Sequence, residues 1–512
     1  MFWADNIELY TLSANSLLKN IIFANKIKTC ETDTAAVTSS PFCCDCLCAN
    51  TGRKIRISFC NMKNQPQGIY DARTLGKPKF FILGVQHMFA MFGATVLVPL
   101  ITGLDVSATL LFAGIGTLIF HFVSKLQVPA FLGSSFAFLG GYASVKQLGM
   151  AQGLTENMAL NYACIGVAAA SLLYFVMATL LKYFGTDKVM KFFPPVVTGP
   201  MVIAIGLTLS GSAINNCQQN WLLAVTAIIV VIVSSVWGKG IIRIIPILLG
   251  VIGSYILATA LGEVDFSKLS EAAWVGLPIK GDRTVFAVMQ DPDYDVIITS
   301  IIAIFPIAFA TIMEHIGDMC AIQSTVDKNF IQSPGLHRTL TGDGLATLLA
   351  SIFGAPANTT YGENTGVLNL TKVFDPAVIR LAAIFAILLS FCPKFACLIG
   401  LMPAATIGGV SLILYGMISA VGVRNLVESA VDFSSSRNVF VAALILVISI
   451  GVQYSTDGGV TIGPITFSGL ALAAIVGIAL NALLPNQLGM KIKSFQGKEK
   501  SEEKFTETLN NK

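Results

Sequence analysis

Pro129-Ala130-Phe131-Leu132-Gly133-Ser134-Ser135-Phe136-Ala137-Phe138 stands where a third hydrophobic helix should be, yet it reads as a break. A proline opens it, and a glycine and two serines follow; none of these favours an unbroken helix. Seven apolar segments later, Pro356-Ala357-Asn358-Thr359-Thr360-Tyr361-Gly362-Glu363-Asn364 repeats the design. An odd number of spans per repeat inverts the second copy relative to the first. Short interrupted segments at matching places in two halves leave backbone donors and acceptors open to a ligand, which ordinary Pro/Gly kinks do not require.

Outward from these breaks, long apolar stretches alternate with short polar links. Of 512 residues, 54% are hydrophobic and 12% charged, and mean hydropathy is +0.73. Soluble chains carry roughly a quarter charged residues, so lipid must be the solvent for much of this surface. Spans are expected near 80–102, 107–124, 129–145, 157–181, 192–211, 220–237, 241–262, 296–321, 339–354, 358–373, 376–392, 398–420, 438–454 and 464–485, fourteen in all. The reading is an all-α integral membrane protein.

Charge placement tests this count. With the amino end cytoplasmic, the cytoplasmic links hold Arg73, Lys77, Lys79, Lys125, Lys182, Lys188, Lys191, Lys239, Arg243, Lys328, Arg338, Lys372, Arg380, Arg424, Arg437, Lys491 and Lys493. The opposite links hold only Lys146, Lys268, Lys280, Arg283 and Lys394, and the long 263–295 link is rich in acids. Every second loop follows the positive-inside rule, so both termini are expected in the cytoplasm. The net charge of +4 says nothing further.

Residues 1–61 fit neither a signal peptide nor a folded domain, and read as a disordered leader or a gene-model extension before Met62. Their run Cys43-Cys44-Asp45-Cys46-Leu47-Cys48 lacks a second spaced pair and a nearby histidine, so no metal site is assigned. Cysteines in the apolar body read as small fillers of helix interfaces.

The eighth stretch reads Thr311-Ile312-Met313-Glu314-His315-Ile316-Gly317-Asp318. A carboxylate near mid-span costs at least ~2.5 kcal/mol on insertion, so function is its expected reason. Glu314 and Asp318 share a helix face, where a proton on one relieves their repulsion. Glu363 is the second intramembrane acid, at the tenth-segment break. His315 reads as structural or pathway-facing, and Asp343 as a helix-terminus or gating residue. Four histidines, no His-Glu-x-x-His and no nucleophile elbow argue against an intramembrane hydrolase, and no catalytic residue is assigned. Discrete acids at broken helices favour alternating access over a passive channel.

Two carboxylates supply acceptors, and the breaks near Phe136 and Gly362 supply free N–H donors. Phe136, Phe138 and Tyr361 can cover the faces of a planar ligand. Residue chemistry alone reaches a small planar amide-like solute and stops there.

Gln86-His87-Met88-Phe89-Ala90-Met91-Phe92-Gly93-Ala94-Thr95-Val96-Leu97-Val98-Pro99 resembles the first span of the nucleobase–ascorbate transporter family, and of its bacterial uracil permeases in particular. So do Gly133-Ser134-Ser135-Phe136-Ala137-Phe138, Glu314-His315-Ile316-Gly317, Pro334-Gly335-Leu336-His337-Arg338 and the stretch from Asn358 to Asn364. The resemblance runs from about Leu75 to about Leu484.

It implies a seven-plus-seven inverted repeat with a β-strand plus half-helix at spans three and ten. A cytoplasmic segment at 62–78 would lead into a transporter domain at 79–485. Its core would be spans one to four and eight to eleven (about 79–183 and 296–392), its gate spans five to seven and twelve to fourteen (about 187–262 and 398–485), and 486–512 a cytoplasmic tail. It implies a proton-coupled symporter of the cytoplasmic membrane, working as a homodimer among membrane lipid, with no cofactor besides the proton gradient and no nucleic-acid partner. Glu314 and Glu363 would take the ring N–H groups, Phe136 and Gly362 would give backbone N–H bonds, and Ala94 would pack beside the base. Ser135, Asn364, His315 and Asp343 would support or gate the site. Purine-selective relatives usually have Gln-Asn at the Gly362-Glu363 pair, so the resemblance sides with uracil. Asp318 departs from it, since the uracil permeases it resembles carry histidine there and purine carriers often aspartate. Xanthine or another purine is therefore the alternative substrate, and Asp318 with Glu314 is expected to couple the proton.

Overall fold

The computed structural model describes residues 45–47, 54–56, 68–189, 191, 193–455, 459–462 and 465–485. The tail at 486–512 and the leader with its cysteine run lie outside the described residues, except for two strands. These are β1 (Asp45–Leu47) and β2 (Lys54–Arg56), paired antiparallel within the unit Met1–Gln67.

From Gly68 onward the chain is helical. The helices of eight or more residues are α1 (Lys77–Thr102), α2 (Val106–Val123), α3 (Leu139–Ala151), α4 (Glu156–Phe184), α5 (Pro195–Cys217), α6 (Trp221–Val236), α7 (Pro246–Ala260) and α8 (Tyr294–Ile304). They continue with α9 (Ile307–Val326), α10 (Leu336–Ile352), α11 (Gly362–Thr371), α12 (Pro376–Ser390), α13 (Pro393–Gly400), α14 (Ala404–Glu428), α15 (Ser436–Gln453) and α16 (Gly469–Leu483). Strands β3 (Leu132–Ser134) and β4 (Asn358–Thr360) precede α3 and α11, and β5 (Val460–Ile462) and β6 (Ile465–Phe467) lie before α16.

Helix ends follow local chemistry. Asp105, Thr155, Asn220, Asp293, Asp375 and Ser468 each accept a backbone N–H of the helix they open. Prolines begin α5, α7 and α12, where the missing N–H costs nothing.

Among the described residues, seven helical stretches are long and apolar enough to cross a membrane, α8 and α9 counting as one, and the bent pair α12 and α13 makes an eighth. Helices α6, α7 and α16 are apolar but shorter. Large apolar side chains such as Ile229, Val233, Phe440 and Val447 point away from the protein. Water does not tolerate so continuous an apolar exterior, so this is an integral multi-pass membrane protein.

One predicted boundary moves. The twelfth span was expected from 398, but α14 begins at Ala404, because α12 stops at Ser390 and α13 turns 86° from it. Pro393 and Pro403 lack the N–H groups that would carry a helix through this corner.

Helices α1, α2 and α12 pack together, as do α4, α10 and α2, while α5 packs on α14 and α15, and α6 on α7. The α5–α14 crossing is close because it is lined by small residues. A Cβ on Gly422 would lie 2.7 Å from the Gly199 carbonyl oxygen.

Candidate functional site

The two breaks meet. Strand β3 pairs antiparallel with β4, Leu132 opposite Thr360, Gly133 opposite Thr359 and Ser134 opposite Asn358. Bonds from Ser135 N to Ala357 O (2.8 Å) and from Tyr361 N to Phe131 O (3.0 Å) extend the ladder. Two three-residue strands inside a membrane need their outer edges satisfied, and neighbouring helices do this. Thr117 Oγ1 accepts the Leu132 N–H (2.9 Å), Asn358 Nδ2 donates to Phe112 O (3.0 Å), Thr347 Oγ1 donates to Asn358 O (2.9 Å) and Ser134 Oγ donates to Thr95 O (2.9 Å).

Each strand leads into a half-helix that no side chain caps. The N–H groups of Phe136, Ala137 and Phe138 have no acceptor among the described residues. On the other side, Gly362, Glu363 and Asn364 open α11, where first-turn N–H groups have no intrahelical partner. Gly362 is exposed, and a Cβ built on it would meet no atom within 4 Å.

Helix α9 packs beside α11 and carries the other acids. Glu314 and Asp318 are half-buried, as is Glu363. Asp318 Oδ2 accepts from Thr360 Oγ1 at 2.8 Å, tying α9 to the end of β4. Glu314 Oε2 is buried without a hydrogen-bond partner. The Glu363 carboxylate takes a hydrogen bond from its own backbone N–H.

The structure moves one expected placement and shows what surrounds the others. Tyr361, expected to cover a ligand face, is buried with its hydroxyl donating to Ser134 O at 2.9 Å. Its ring lies over Gly133, where a Cβ would come within 2.5 Å of it. Tyr361 thus bridges the two strands of the ladder. Phe138 is wholly buried, as Ala94 is. Asp343 is not at a helix terminus but inside α10, fully buried, with Oδ2 2.8 Å from His315 Nδ1. The other ring nitrogen of His315 lies 3.1 Å from Thr339 Oγ1, so the buried ring sits between two side chains of α10. The polar dip at Gly342-Asp343-Gly344 mimics a helix end in the sequence because the partner, His315, is distant along the chain.

Asn364 donates to His87 O at 3.0 Å, fastening α11 to α1, on which Ala94 is fully buried. Ser135 contributes its backbone to the ladder, and its buried hydroxyl has no partner. The Phe136 ring meets Tyr415 of α14 edge-on, centroids 6.0 Å apart. Sequence reasoning missed Tyr415, Thr360 and His87. The last two stand inside the quoted motifs and were legible there; nothing local marks Tyr415. A cavity of about 410 Å³ lined by Ile101, Thr102, Leu139, Ala143, Lys146, Gln147 and Met150 holds none of the site residues. The chemistry, not that cavity, locates the site.

Paired strand–half-helix breaks with free N–H groups, beside helices that carry intramembrane carboxylates in a largely helical bundle in lipid, define a membrane transporter. The transmembrane domain of a cyanobacterium bicarbonate transporter, BicA, has this fold: TM-score 0.54 at 14% identity, covering 81% of this chain and 99% of that one. Sequence narrows the class, for residues 78–458 match the permease family, and the chain belongs to it. It is 40% identical over 434 residues to the uracil permease of Bacillus caldolyticus, covering 82% of this chain and 94% of that protein. It is 38% identical over 414 residues to the uracil permease of Bacillus subtilis strain 168, covering 78% and 91%. The nucleobase–ascorbate resemblance of its motifs therefore holds, and the protein is a transporter, not an enzyme.

Proposed function

We propose that this permease takes up uracil across the cytoplasmic membrane together with a proton. One observation carries the reading: Glu363 and the open N–H of Gly362 stand side by side at the start of α11, with Glu314 on the adjacent helix. Uracil has two ring N–H groups and two carbonyls. The N–H groups donate to Glu314 and Glu363, and the carbonyls accept from the N–H groups of Phe136 and Gly362. Ala94 and the Phe136 ring line the base. The names of the relatives support the substrate, since both are uracil permeases.

Proton coupling belongs to Asp318 and Glu314. With both ionised and half out of water they repel each other; a proton on either leaves an array able to accept a neutral base. Release of base and proton on the far side returns the carrier.

Fourteen segments arranged as two inverted sevens fit this cycle. In support, eight long or bent spans, three shorter apolar helices, the buried α10 and two strand–helix units follow one another in order. The core is spans one to four and eight to eleven, and the gate is the remainder. Packing of α2, α4, α10 and α12 apart from α5, α14, α15 and α16 supports the division. Both termini face the cytoplasm, and the working unit is a homodimer.

A specific residue favours the second reading, a purine:proton symporter: Asp318 stands where the resemblance associates aspartate with purine carriers. Uptake of radiolabelled uracil into transport-deficient cells, with xanthine as competitor and a protonophore control, separates the two. Protonophore-sensitive uracil uptake that xanthine leaves untouched is expected. Xanthine uptake without uracil uptake would overturn the substrate. Unchanged proton-driven accumulation in Asp318→Asn would remove Asp318 from coupling.

A further inference from the structure

We propose that the two connections on the acid-rich side of the bundle, 261–293 and 391–403, form one anchor whose residues Trp274, Val275 and Leu277 insert into the headgroup region of the bilayer. The connections are far apart in sequence but bonded to each other. Gly276 N donates to Phe391 O at 3.0 Å, and Lys394 N donates to Ala273 O at 3.0 Å. Gly276 lies against Pro393, and Tyr255 of α7 donates to Leu398 O at 3.1 Å. A few residues on, the first connection is fixed again. Lys280 pairs with Asp105 at 2.8 Å, and Asn161 Nδ2 donates to Asp282 O at 2.8 Å.

Between these fixed points the chain turns its apolar side chains outward. Trp274 is 72% exposed, Val275 80% and Leu277 81%. A segment held at both ends by hydrogen bonds has no need to show three large apolar groups to water.

The occupant follows from continuity. Exposed Ile384, Leu388 and Phe391 fall four and three residues apart, a single outward stripe along α12 and its C-terminal cap, on the apolar helix that forms a bent pair with α13. The stripe leads directly to Phe391, the residue bonded to Gly276. At that point α13 turns 86° from α12 and runs across the direction of the span, as a helix lying along the membrane surface does. Lys394 Nζ sits 4.7 Å above the Trp274 ring, so an indole and an ammonium occupy the same spot. Tryptophan and lysine are the side chains that settle at the lipid interface, ring among the upper acyl carbons and charge among phosphates. The partner is phospholipid, and the anchor does not depend on what the permease carries.

The test uses full-length protein in proteoliposomes, with Trp3, Trp221 and Trp237 replaced by Phe so that Trp274 is the only emitter. Should that variant fold poorly, the difference in quenching between the native chain and Trp274→Phe gives the same quantity. Phospholipid brominated high on its acyl chains is expected to quench Trp274 roughly twofold or more, and more than lipid brominated near the chain ends, with acrylamide nearly without effect. Quenching by acrylamide and not by bromolipid would put the segment in water and overturn the anchor. Protection from both would mean that protein, such as a second copy, covers it. Stronger quenching by the deep label would move Trp274 into the hydrocarbon, which also overturns the interfacial placement.

Discussion

The two broken segments follow one plan and end in different chemistry. In the first, β3 gives way to Phe136, a ring sealed against Tyr415, and to a half-helix whose first turn has no acid. In the second, β4 gives way to an open glycine and to a carboxylate in the first turn of α11, where the helix dipole favours negative charge. The backbone is duplicated and the polarity is not. On the proposed reading the first half supplies a wall and an N–H donor and the second an acceptor as well, so that a ligand held between them would be oriented as well as bound.

The largest test of that contrast is Glu363→Gln. It keeps the shape of the second half and removes its charge, and uptake is expected to fall about 100-fold in kcat/KM at normal membrane abundance. Wild-type uptake would erase the distinction between wall and acceptor. Next comes Gly133→Ala, which attacks what the halves share. Its Cβ would lie 2.5 Å from the Tyr361 ring and 2.7 Å from Thr95 Oγ1, so a loss of about 2 kcal/mol is expected, read as a lower Tm in detergent. An unchanged Tm would mean that the ladder is looser than its geometry.

Tyr361→Phe separates strand bridge from ligand contact. Losing the bond to Ser134 O costs about 1 kcal/mol of stability and leaves KM within about twofold. A KM raised tenfold would place Tyr361 on the ligand face. The smallest effect is expected from Gly362→Ala, where nothing stands within 4 Å of the new methyl. Stability should hold within about 0.5 kcal/mol, and only the competition between nucleobases should shift. A large loss of stability there would mean that the space before α11 is filled.

Much of this was legible in the chain because its signals are local. Apolar length, proline and glycine breaks and intramembrane acids are each read within a few residues, and they located the helices, both breaks and Glu314, Asp318 and Glu363. What was not legible depends on pairing across the chain. Nothing near Tyr361 says that its hydroxyl will find Ser134, 227 positions away. Nothing near Asp343 says that His315 will meet it, so a buried pair looked like a helix end. Tyr415 sits in an ordinary apolar helix and gains its place only when α14 comes to lie against Phe136.

The ladder between Leu132 and Thr360 also constrains how the protein is made. Its first strand enters the membrane early in synthesis, and its partner emerges only when well over half of the 512-residue chain has been translated. Until then, Leu132 to Ser134 lack the backbone partners that the finished fold gives them, in a solvent that supplies none. Biogenesis must therefore hold the first half open, in contact with water or with the insertion machinery, and a nascent chain stalled before Asn358 would be inserted but blind to its ligand.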